Sequence, residues 1–282
     1  MAEKSQKLNI SVVVVVYNTS CTEAPTCRAL LDIDDPSLHV IIYDNSTRDY
    51  GNKDFCEAYH WNYLGGTGNA GLSKAYNAAV DFTENCGRDG LLCLFDDDTY
   101  VDKAYFDQLR ASYDESNARI YVPFIHSAGK LLSPSLITRS GNYDTFADQE
   151  AVSAYKGDDM TAINSGMAID MRIFADYRYD EKIFLDGVDH QFLYDCKDRG
   201  ITLCVFNYHC NHMFSGDAEA SYSSAINRFR IYVKDYRYIY RNYLWGFMKR
   251  EGKRALFLTK RYKKPQFMMA FLKVLLQKTE KN

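Results

Sequence analysis

Residues 10–16 read ISVVVVV, a run that is apolar apart from Ser11 and contains five consecutive valines. β-branched residues favour strands, and a strand that is apolar on both faces is typical of a parallel sheet covered by helices on each side. LHVIIYD at 38–44 and LLCLF at 91–95 repeat this pattern, and HWNYL at 60–64 is a weaker example. Helix-like segments lie between the four runs, so the sequence predicts an α/β fold with a doubly wound, mostly parallel sheet.

Polar residues stand at the carboxyl ends of three of these runs. Tyr17 and Asn18 follow the first run, Asp44 ends the second, and the triplet 96–98 follows LLCLF. Doubly wound sheets bind ligands in the crevice at the carboxyl ends of their strands. We therefore expect these side chains to line one crevice.

The second half of the chain is less regular. Strands are predicted at IYVPFI (120–125), near NSGMAID (164–170) and at ITLCVF (201–206), with a helix from about Gly187 to Arg199. Apolar side chains recur at helical spacing over residues 226–247, which predicts a further amphipathic helix.

The triplet Asp96, Asp97 and Asp98 places three mutually repelling carboxylates after a buried strand. Two carboxylates one residue apart on a turn can both bind one Mg²⁺ or Mn²⁺, with phosphate oxygens completing its shell. A solvated acidic turn is the plain alternative. Phosphatases with an aspartate nucleophile also place D-x-D after an apolar strand, but Tyr100 and the late position of the triplet in the chain disfavour that reading.

The segment GGTGNAGLSKAYNAA at 65–79 contains a G-x-G-x-x-G pattern at Gly66, Gly68 and Gly71. In dinucleotide-binding folds this pattern follows the first strand, and here it does not. A loop that opens a helix fits better, with helix amides and Lys74 facing a diphosphate. A glycine-rich turn without a ligand remains the alternative.

Seven motifs together resemble the family 2 glycosyltransferases, inverting enzymes of the GT-A type with a Rossmann-like sheet. The resemblance covers residues 10 to about 245, and GLSKAYN, LDGVD and a later YRN are most similar to bacterial rhamnosyl- and galactofuranosyltransferases of surface polysaccharides. The motifs occur in the order VVVVVYN, IIYDNST, GGTGNAGLSKAYN, LFDDDTYVD, INSGMAID, FLDGVDHQF and NHMFSG.

The resemblance implies roles on the donor side of the site. Tyr17, Asn18 and Asp44 would hold the base and ribose of a sugar nucleotide, with Lys74 nearby. Asp97 would contact ribose or sugar. The implied metal ligands for Mn²⁺ or Mg²⁺ are Asp96, Asp98 and His212, and a structural histidine is the alternative for the last.

The same resemblance implies that Asp189, in FLDGVDHQF, is the base that deprotonates the acceptor hydroxyl, with Asp186 as the second candidate. Many relatives carry Glu where this chain has Val188. Ser165 and Gly166 would line the donor sugar and acceptor pocket. An acidic cluster that merely favours the amino end of a helix is the alternative for both aspartates.

Charge is unevenly distributed along the chain. From Arg228 onward there are 16 Lys and Arg against 3 Asp and Glu, which leaves 18 against 34 for residues 1–227. We expect a catalytic domain over 1–225 and a basic, amphipathic helical extension over 226–282. The acidic body disfavours nucleic acid as a partner, whereas the extension suits an anionic membrane surface or packing on protein.

The eight cysteines form no CxxC pair, and the amino terminus lacks the pattern of a signal peptide, so we expect a cytoplasmic protein on the inner face of the cell membrane. The predicted partners are a nucleotide-sugar donor, a glycan or lipid-linked acceptor and a second copy of the chain. A non-catalytic sugar-nucleotide or glycan-binding protein on the same fold is the competing hypothesis.

Overall fold

The computed structural model describes residues 8–66, 68–127, 129–137, 143–211 and 221–277. A main sheet of eight strands and a small sheet of three strands lie within these ranges. In chain order the strands are β1 (Ile10–Val16), β2 (Leu38–Asp44), β3 (Asn62–Gly65), β4 (Leu91–Asp96), β5 (Ile120–Ser127), β6 (Lys130–Ser133), β7 (Ser135–Ile137), β8 (Tyr143–Thr145), β9 (Met160–Thr161), β10 (Met167–Asp170) and β11 (Leu203–Asn211).

Helices flank the main sheet in the first half of the chain and form a separate layer at its carboxyl end. They are α1 (Pro25–Ile33), α2 (Asn52–Ala58), α3 (Leu72–Asn85), α4 (Lys103–Glu115), α5 (Gln149–Ala154), α6 (Val188–Asp198), α7 (Tyr222–Ile239), α8 (Leu244–Tyr262) and α9 (Gln266–Leu275), with a 3₁₀ turn at Met171–Ala175.

The main sheet has the strand order β11-β5-β10-β4-β1-β2-β3, and β6 pairs with β5. Neighbouring strands on this path are parallel except at β10, which runs antiparallel to both β4 and β5. The predicted α/β fold with a mostly parallel sheet and a carboxyl-terminal helical part is confirmed. The orientation of β10 was not predicted, because an apolar strand looks the same in either direction.

The valine run of β1 is buried on both of its faces. Val12 and Val14 pack with Leu30 of α1 on one side of the sheet, while Val13 packs with Ala79 of α3 on the other. Burying a valine side chain contributes roughly 1.5–3 kcal/mol. This central strand therefore fixes two helical layers at once, and it aims the carboxyl ends of β1, β2 and β4 at the same edge.

Several predicted boundaries shift by a few residues. The strand expected at 60–64 is Asn62–Gly65, and the one expected at 201–206 extends over Leu203–Asn211. The apolar stripe over 226–247 belongs to two helices, α7 and α8, because a turn at Tyr240–Tyr243 interrupts it. The small sheet and α5 were not predicted.

The three carboxyl-terminal helices share their own apolar core. Phe267 of α9 packs edge-on against Phe229 of α7 at 5.6 Å between ring centroids, and Phe271 stacks on Phe247 of α8 at 5.5 Å. Phe267 and Phe271 of α9 are therefore covered by protein, whereas Leu276, just after the helix, is 81% exposed. Among the described helices, none is both long and apolar enough to span a bilayer.

Candidate active site

The carboxyl ends of β1, β2 and β4 lie side by side, as the sequence predicts. Val15 of β1 is in register with Asp96 of β4, and the backbone N–H of Tyr17 donates to Oδ2 of Asp97 at 3.1 Å. Burial raises the pKa of the Asp97 carboxyl, and the negative charge of Asp98 raises it further. Asp97 thus ties the first loop to the acidic triplet, while its own carboxylate faces the protein.

A threonine at the start of α1 fixes the backbone of the acidic turn. The hydroxyl of Thr26 lies 2.6 Å from the carbonyl oxygen of Asp96 and 2.7 Å from that of Thr99, and it accepts the N–H of Thr99 at 2.9 Å. Thr26 is fully buried. Its side chain therefore holds both ends of the turn that presents Asp96 and Asp98.

The loop after β9 reaches the same turn from the other side. Ser165 donates a hydrogen bond to Oδ2 of Asp96 at 3.0 Å and lies 2.7 Å from the hydroxyl of Thr99. Gly166, at φ +76°, donates to the carbonyl of Leu94 and accepts from the hydroxyl of Tyr105, both at 2.8 Å. The structure therefore brings the predicted pair Ser165 and Gly166 directly beside the acidic triplet.

Asp44 lies at this edge but is enclosed by protein donors. Its Oδ1 accepts the N–H of Ser46 at 2.9 Å, and its Oδ2 accepts from Asn52 at 3.0 Å and from the hydroxyl of Tyr63 at 3.3 Å. The residue is only 4% exposed. Its clearest visible function is to organise the loop after β2, and contact with a base remains a prediction.

Asn18 joins the loops after β1 and β2. Its side-chain oxygen accepts from both the backbone N–H and the hydroxyl of Thr47 at 2.9 Å, and its own N–H donates to Ser46 at 2.9 Å. Asn18 adopts a left-handed conformation at φ +54°, and Tyr17 beside it is half exposed. The exposed ring of Tyr17 is thus available at the mouth of the crevice.

The glycine-rich segment is tied to the acidic loop before α6. A Cβ on Gly71, which has φ +89°, would lie 2.6 Å from the carbonyl oxygen of Phe184. The N–H of Leu72 donates to that same oxygen at 2.7 Å, and Ser73 donates to the carbonyl of Ile183 at 2.6 Å. The first amide of α3 is therefore used within the protein, while Lys74 is exposed in the same turn.

Asp189 lies in the first turn of α6, and two hydrogen bonds connect that turn to the acidic triplet. The hydroxyl of Thr161 in β9 lies 2.8 Å from Nδ1 of His190, the residue after Asp189, and four residues after Thr161 the side chain of Ser165 donates to Asp96. The negative charges of Asp96 and Asp189 both raise the pKa of Tyr76, whose phenol is fully buried, although burial itself is the larger cause. The sequence analysis did not single out Tyr76.

The carboxyl-terminal extension holds the loop that precedes Asp189. Asp235 of α7 accepts the backbone N–H groups of Phe184, Leu185 and Asp186 at 3.1, 2.8 and 2.9 Å, and it is only 1% exposed. Arg228 of the same helix forms a two-pronged ion pair with the Asp186 carboxylate. Asp186, the second candidate for the base, is therefore engaged by an arginine.

Asp235 and Arg228 hold the loop before Asp189, and the sequence analysis did not single them out. The available signal was the presence of an acid in a segment where Lys and Arg outnumber Asp and Glu by 16 to 3. Burying a carboxylate is costly unless it accepts hydrogen bonds, and Asp235 accepts three from the backbone of the loop.

The acidic turn supplies suitable groups for a hard divalent cation. Asp96 and Asp98 are separated by one residue, and both offer carboxylate oxygens, the ligand type that Mg²⁺ and Mn²⁺ prefer. No group of three or more potential metal-binding side chains occurs in the described part of the chain. His212, the predicted third ligand, lies outside the described residues.

The chain belongs to the glycosyl transferase family 2, whose family model matches residues 11–178, more than half of the sequence. The match includes the acidic triplet and ends before Asp189. A comparison with curated protein sequences gives no match.

Solved structures share the GT-A fold of this chain at low sequence identity. GalNAc-T7, crystallised with UDP, GalNAc and Mn²⁺, aligns with a TM-score of 0.60 and 14% identity, over 96% of this chain and 57% of that one. S. aureus TarS 1–349 in complex with UDP-GlcNAc gives 0.52 and 16%, over 95% and 82%. A longer structure of S. aureus TarS gives 0.52 and 14%, over 83% of this chain and 44% of that one. The chain thus spans about half the length of GalNAc-T7 and less of the longer TarS.

Proposed function

We propose that this protein is a metal-dependent, inverting glycosyltransferase that moves a sugar from a nucleoside diphosphate sugar to a hydroxyl of a lipid-linked or growing surface glycan. The observation that carries the proposal is the short link between the segments of the two acids: Ser165 donates to Asp96 at 3.0 Å, and four residues earlier the hydroxyl of Thr161 lies 2.8 Å from Nδ1 of His190, next to Asp189. One acid can then serve the acceptor while the other serves the donor. The two structural neighbours that were crystallised with UDP and a sugar, or with a UDP-sugar, support the donor class.

On the donor side, Asp96 and Asp98 would hold the cation, which when bound neutralises the charge of the departing diphosphate. Ser165 keeps the Asp96 carboxylate in a fixed orientation by its hydrogen bond at 3.0 Å. Tyr17, exposed at the end of β1, is placed to stack on the nucleotide base. Lys74 would meet the diphosphate from α3.

On the acceptor side, Asp189 would take the proton of the acceptor hydroxyl as its oxygen attacks the anomeric carbon. The bond from that carbon to the diphosphate breaks as the new carbon–oxygen bond forms, so the configuration inverts. The proton remains on Asp189 and the electron pair leaves with the diphosphate. Oδ1 of Asp189 accepts the N–H of His190 at 2.8 Å, which fixes the carboxylate for this role.

The first experiment identifies the sugar nucleotide that the protein binds. A thermal-shift panel of dTDP-rhamnose, UDP-galactofuranose and UDP-hexoses, with and without Mn²⁺, should show one donor that raises the melting temperature only when the metal is present. Asp98→Asn should abolish the metal-dependent shift. A shift that is equally large without metal, or is unchanged in Asp98→Asn, would contradict the assigned cation site.

The acceptor and the location of the protein belong to the same proposal. The basic extension would hold the enzyme peripherally on the cytoplasmic face of an anionic membrane, where a lipid-linked acceptor is found. Each Lys or Arg near such a surface contributes about 1 kcal/mol. The predicted homodimer is tested by the sedimentation of the purified chain in solution.

Release of donor sugar, to water or to an acceptor, separates the transferase from a non-catalytic sugar-nucleotide binding protein. Donor binding without any turnover over a panel of acceptors would favour the binding protein.

A further inference from the structure

An apolar groove runs between α7 and α9 in the carboxyl-terminal extension. Its volume is about 610 Å³, within the range of about 300–1,000 Å³ that is typical of small-molecule sites. Its apolar lining includes Val233, Ala270 and Val274, and its basic lining consists of Arg230, Lys234 and Lys273.

The groove is strongly cationic. Among the described residues that line it, none is acidic. Arg237 follows Arg230 and Lys234 on the same side of α7, at the i, i+4 and i+7 spacing of one helix face. It is only 8% exposed, and its Nε and Nη1 atoms have no hydrogen-bond partner in the described part of the chain. An anion at the rim would thus meet the three cationic side chains of the lining, and Arg237 adds a fourth positive charge to the same face of α7.

We propose that this groove binds an anionic membrane lipid, with the phosphate at Arg230, Lys234 and Lys273 and part of the acyl or isoprenoid chain along Val233 and Val274. The apolar floor favours a lipid over a free phosphate, because a soluble anion would leave that floor in water. Met269, which lines the groove, is 62% exposed. Two further apolar side chains of this segment are exposed, Leu272 of α9 at 45% and Leu276 just after the helix at 81%.

Charge also argues against a second copy of the chain as the occupant. A two-fold contact brings the same patch of both subunits together. Here it would bring two sets of arginine and lysine side chains into apposition, and such like-charge contacts are unfavourable.

The proposal rests on the membrane-associated transferase proposed above and adds the element that binds the lipid. Val233 faces the groove, whereas Arg228 and Asp235, five residues before it and two after it, contact the loop before Asp189. The lipid site and the catalytic loop therefore lie on opposite sides of one helix, which is about 10 Å across.

The test measures sedimentation of the full chain with phosphatidylcholine vesicles and with mixed phosphatidylcholine and phosphatidylglycerol vesicles. Arg230→Glu, Lys234→Glu and Lys273→Glu together should weaken binding to the mixed vesicles by at least about a hundredfold, since each cation contributes about 1 kcal/mol. The matched control reverses the same number of charges at the exposed residues Lys249, Lys253 and Lys260 of α8, and it should weaken binding at least about tenfold less than the groove variant does.

Equal losses in the two triple variants, or a larger loss in the α8 variant, would overturn the groove as the lipid site. Excess soluble glycerol phosphate should not displace the protein from vesicles, and displacement would overturn the role of the apolar floor. Donor hydrolysis without vesicles is measured on the same variants. It should stay at the wild-type level, so that failure of the lipid site is distinguished from failure of the proposed transferase.

Discussion

The two sides of the crevice are built by different means. On the donor side, Asp96 and Asp98 stand directly after a buried parallel strand, so the sheet itself places them. On the acceptor side, Asp189 follows an irregular loop whose backbone is held from α7, about fifty residues further along the chain. The comparison teaches that the sheet places the proposed donor site, whereas the loop before the proposed base is held by the carboxyl-terminal extension.

The largest expected effect separates chemistry from donor binding. Asp189→Ala should lower the rate of sugar transfer by about 10²–10⁴-fold, the usual contribution of a general base. Donor affinity, measured by titration calorimetry with Mn²⁺, should stay within about threefold of wild type, because in the proposed mechanism Asp189 contacts the acceptor and not the donor. Asp186→Ala is the matched control, and a larger loss of rate in that variant would reverse the assignment of the base.

The next effect tests whether the extension positions the base. Asp235→Ala leaves three partly buried backbone N–H groups without their acceptor, and a fully buried group in that state costs roughly 1–3 kcal/mol. The loop before Asp189 should shift, and kcat should fall about ten- to a hundredfold while the KM for the donor is nearly unchanged.

Glu251→Gln provides the control for Asp235→Ala. Glu251 is a second buried acid in the described part of the extension, fully buried in α8, and burial raises the pKa of its carboxyl. Its replacement should leave kcat within about threefold of wild type. If both variants lose stability to the same extent and both keep kcat, Asp235 is only a structural residue.

A change on the proposed donor side should weaken donor binding and leave kcat nearly unchanged, the reverse of the effect expected for Asp235→Ala. Thr26→Val keeps the shape of the side chain but removes the hydroxyl that holds the acidic turn. We expect Mn²⁺-dependent donor binding to weaken by about tenfold, as when an outer partner of a metal site is lost. The kcat at saturating donor should change little. Thr22→Val, at an exposed threonine close to α1, should be neutral, and an equal effect of the two changes would contradict the role of Thr26.

The smallest effect concerns the contact between Gly71, before α3, and Phe184, in the loop before α6. Gly71→Ala and Gly68→Ala both place a side chain at positive φ, a backbone conformation that residues with a Cβ rarely adopt and that costs about 1–3 kcal/mol. Only at Gly71 would the new Cβ strike the backbone of Phe184, since nothing lies within 4 Å of the corresponding position at Gly68. Gly71→Ala should therefore unfold at lower denaturant concentration than Gly68→Ala. Equal denaturation midpoints for the two variants would show that the backbone around Phe184 can move to accept a side chain at Gly71.

Much of the donor side could be predicted from the sequence because its signals are local. A β-branched run ending in polar residues defines both a strand and the edge at which it stops, so Tyr17, Asn18 and the triplet 96–98 meet as expected. Parallel register then follows from the alternation of strands and helices. The enclosure of Asp44 by Asn52 and Tyr63 did not follow, because those donors come from a helix and a neighbouring strand.

The acceptor side could be predicted only in part. The motif around Asp189 marked the residue, but its place in the fold depends on contacts between distant segments. Asp235 looks like an ordinary polar position of an amphipathic helix, and Tyr76 looks like any aromatic residue of a buried helix face. Gly71 was assigned to a flexible loop, whereas the close approach of Phe184 is what requires a residue without a side chain.

The most direct test of the central claim is a crystal structure of the protein with Mn²⁺ and the nucleoside diphosphate of its donor, using the anomalous signal of the metal. The account predicts a peak within about 2.5 Å of carboxylate oxygens of Asp96 and Asp98, with the diphosphate on the metal and Asp189 facing it across the cavity. A metal bound elsewhere, or Asp189 directed away from the diphosphate, would contradict it.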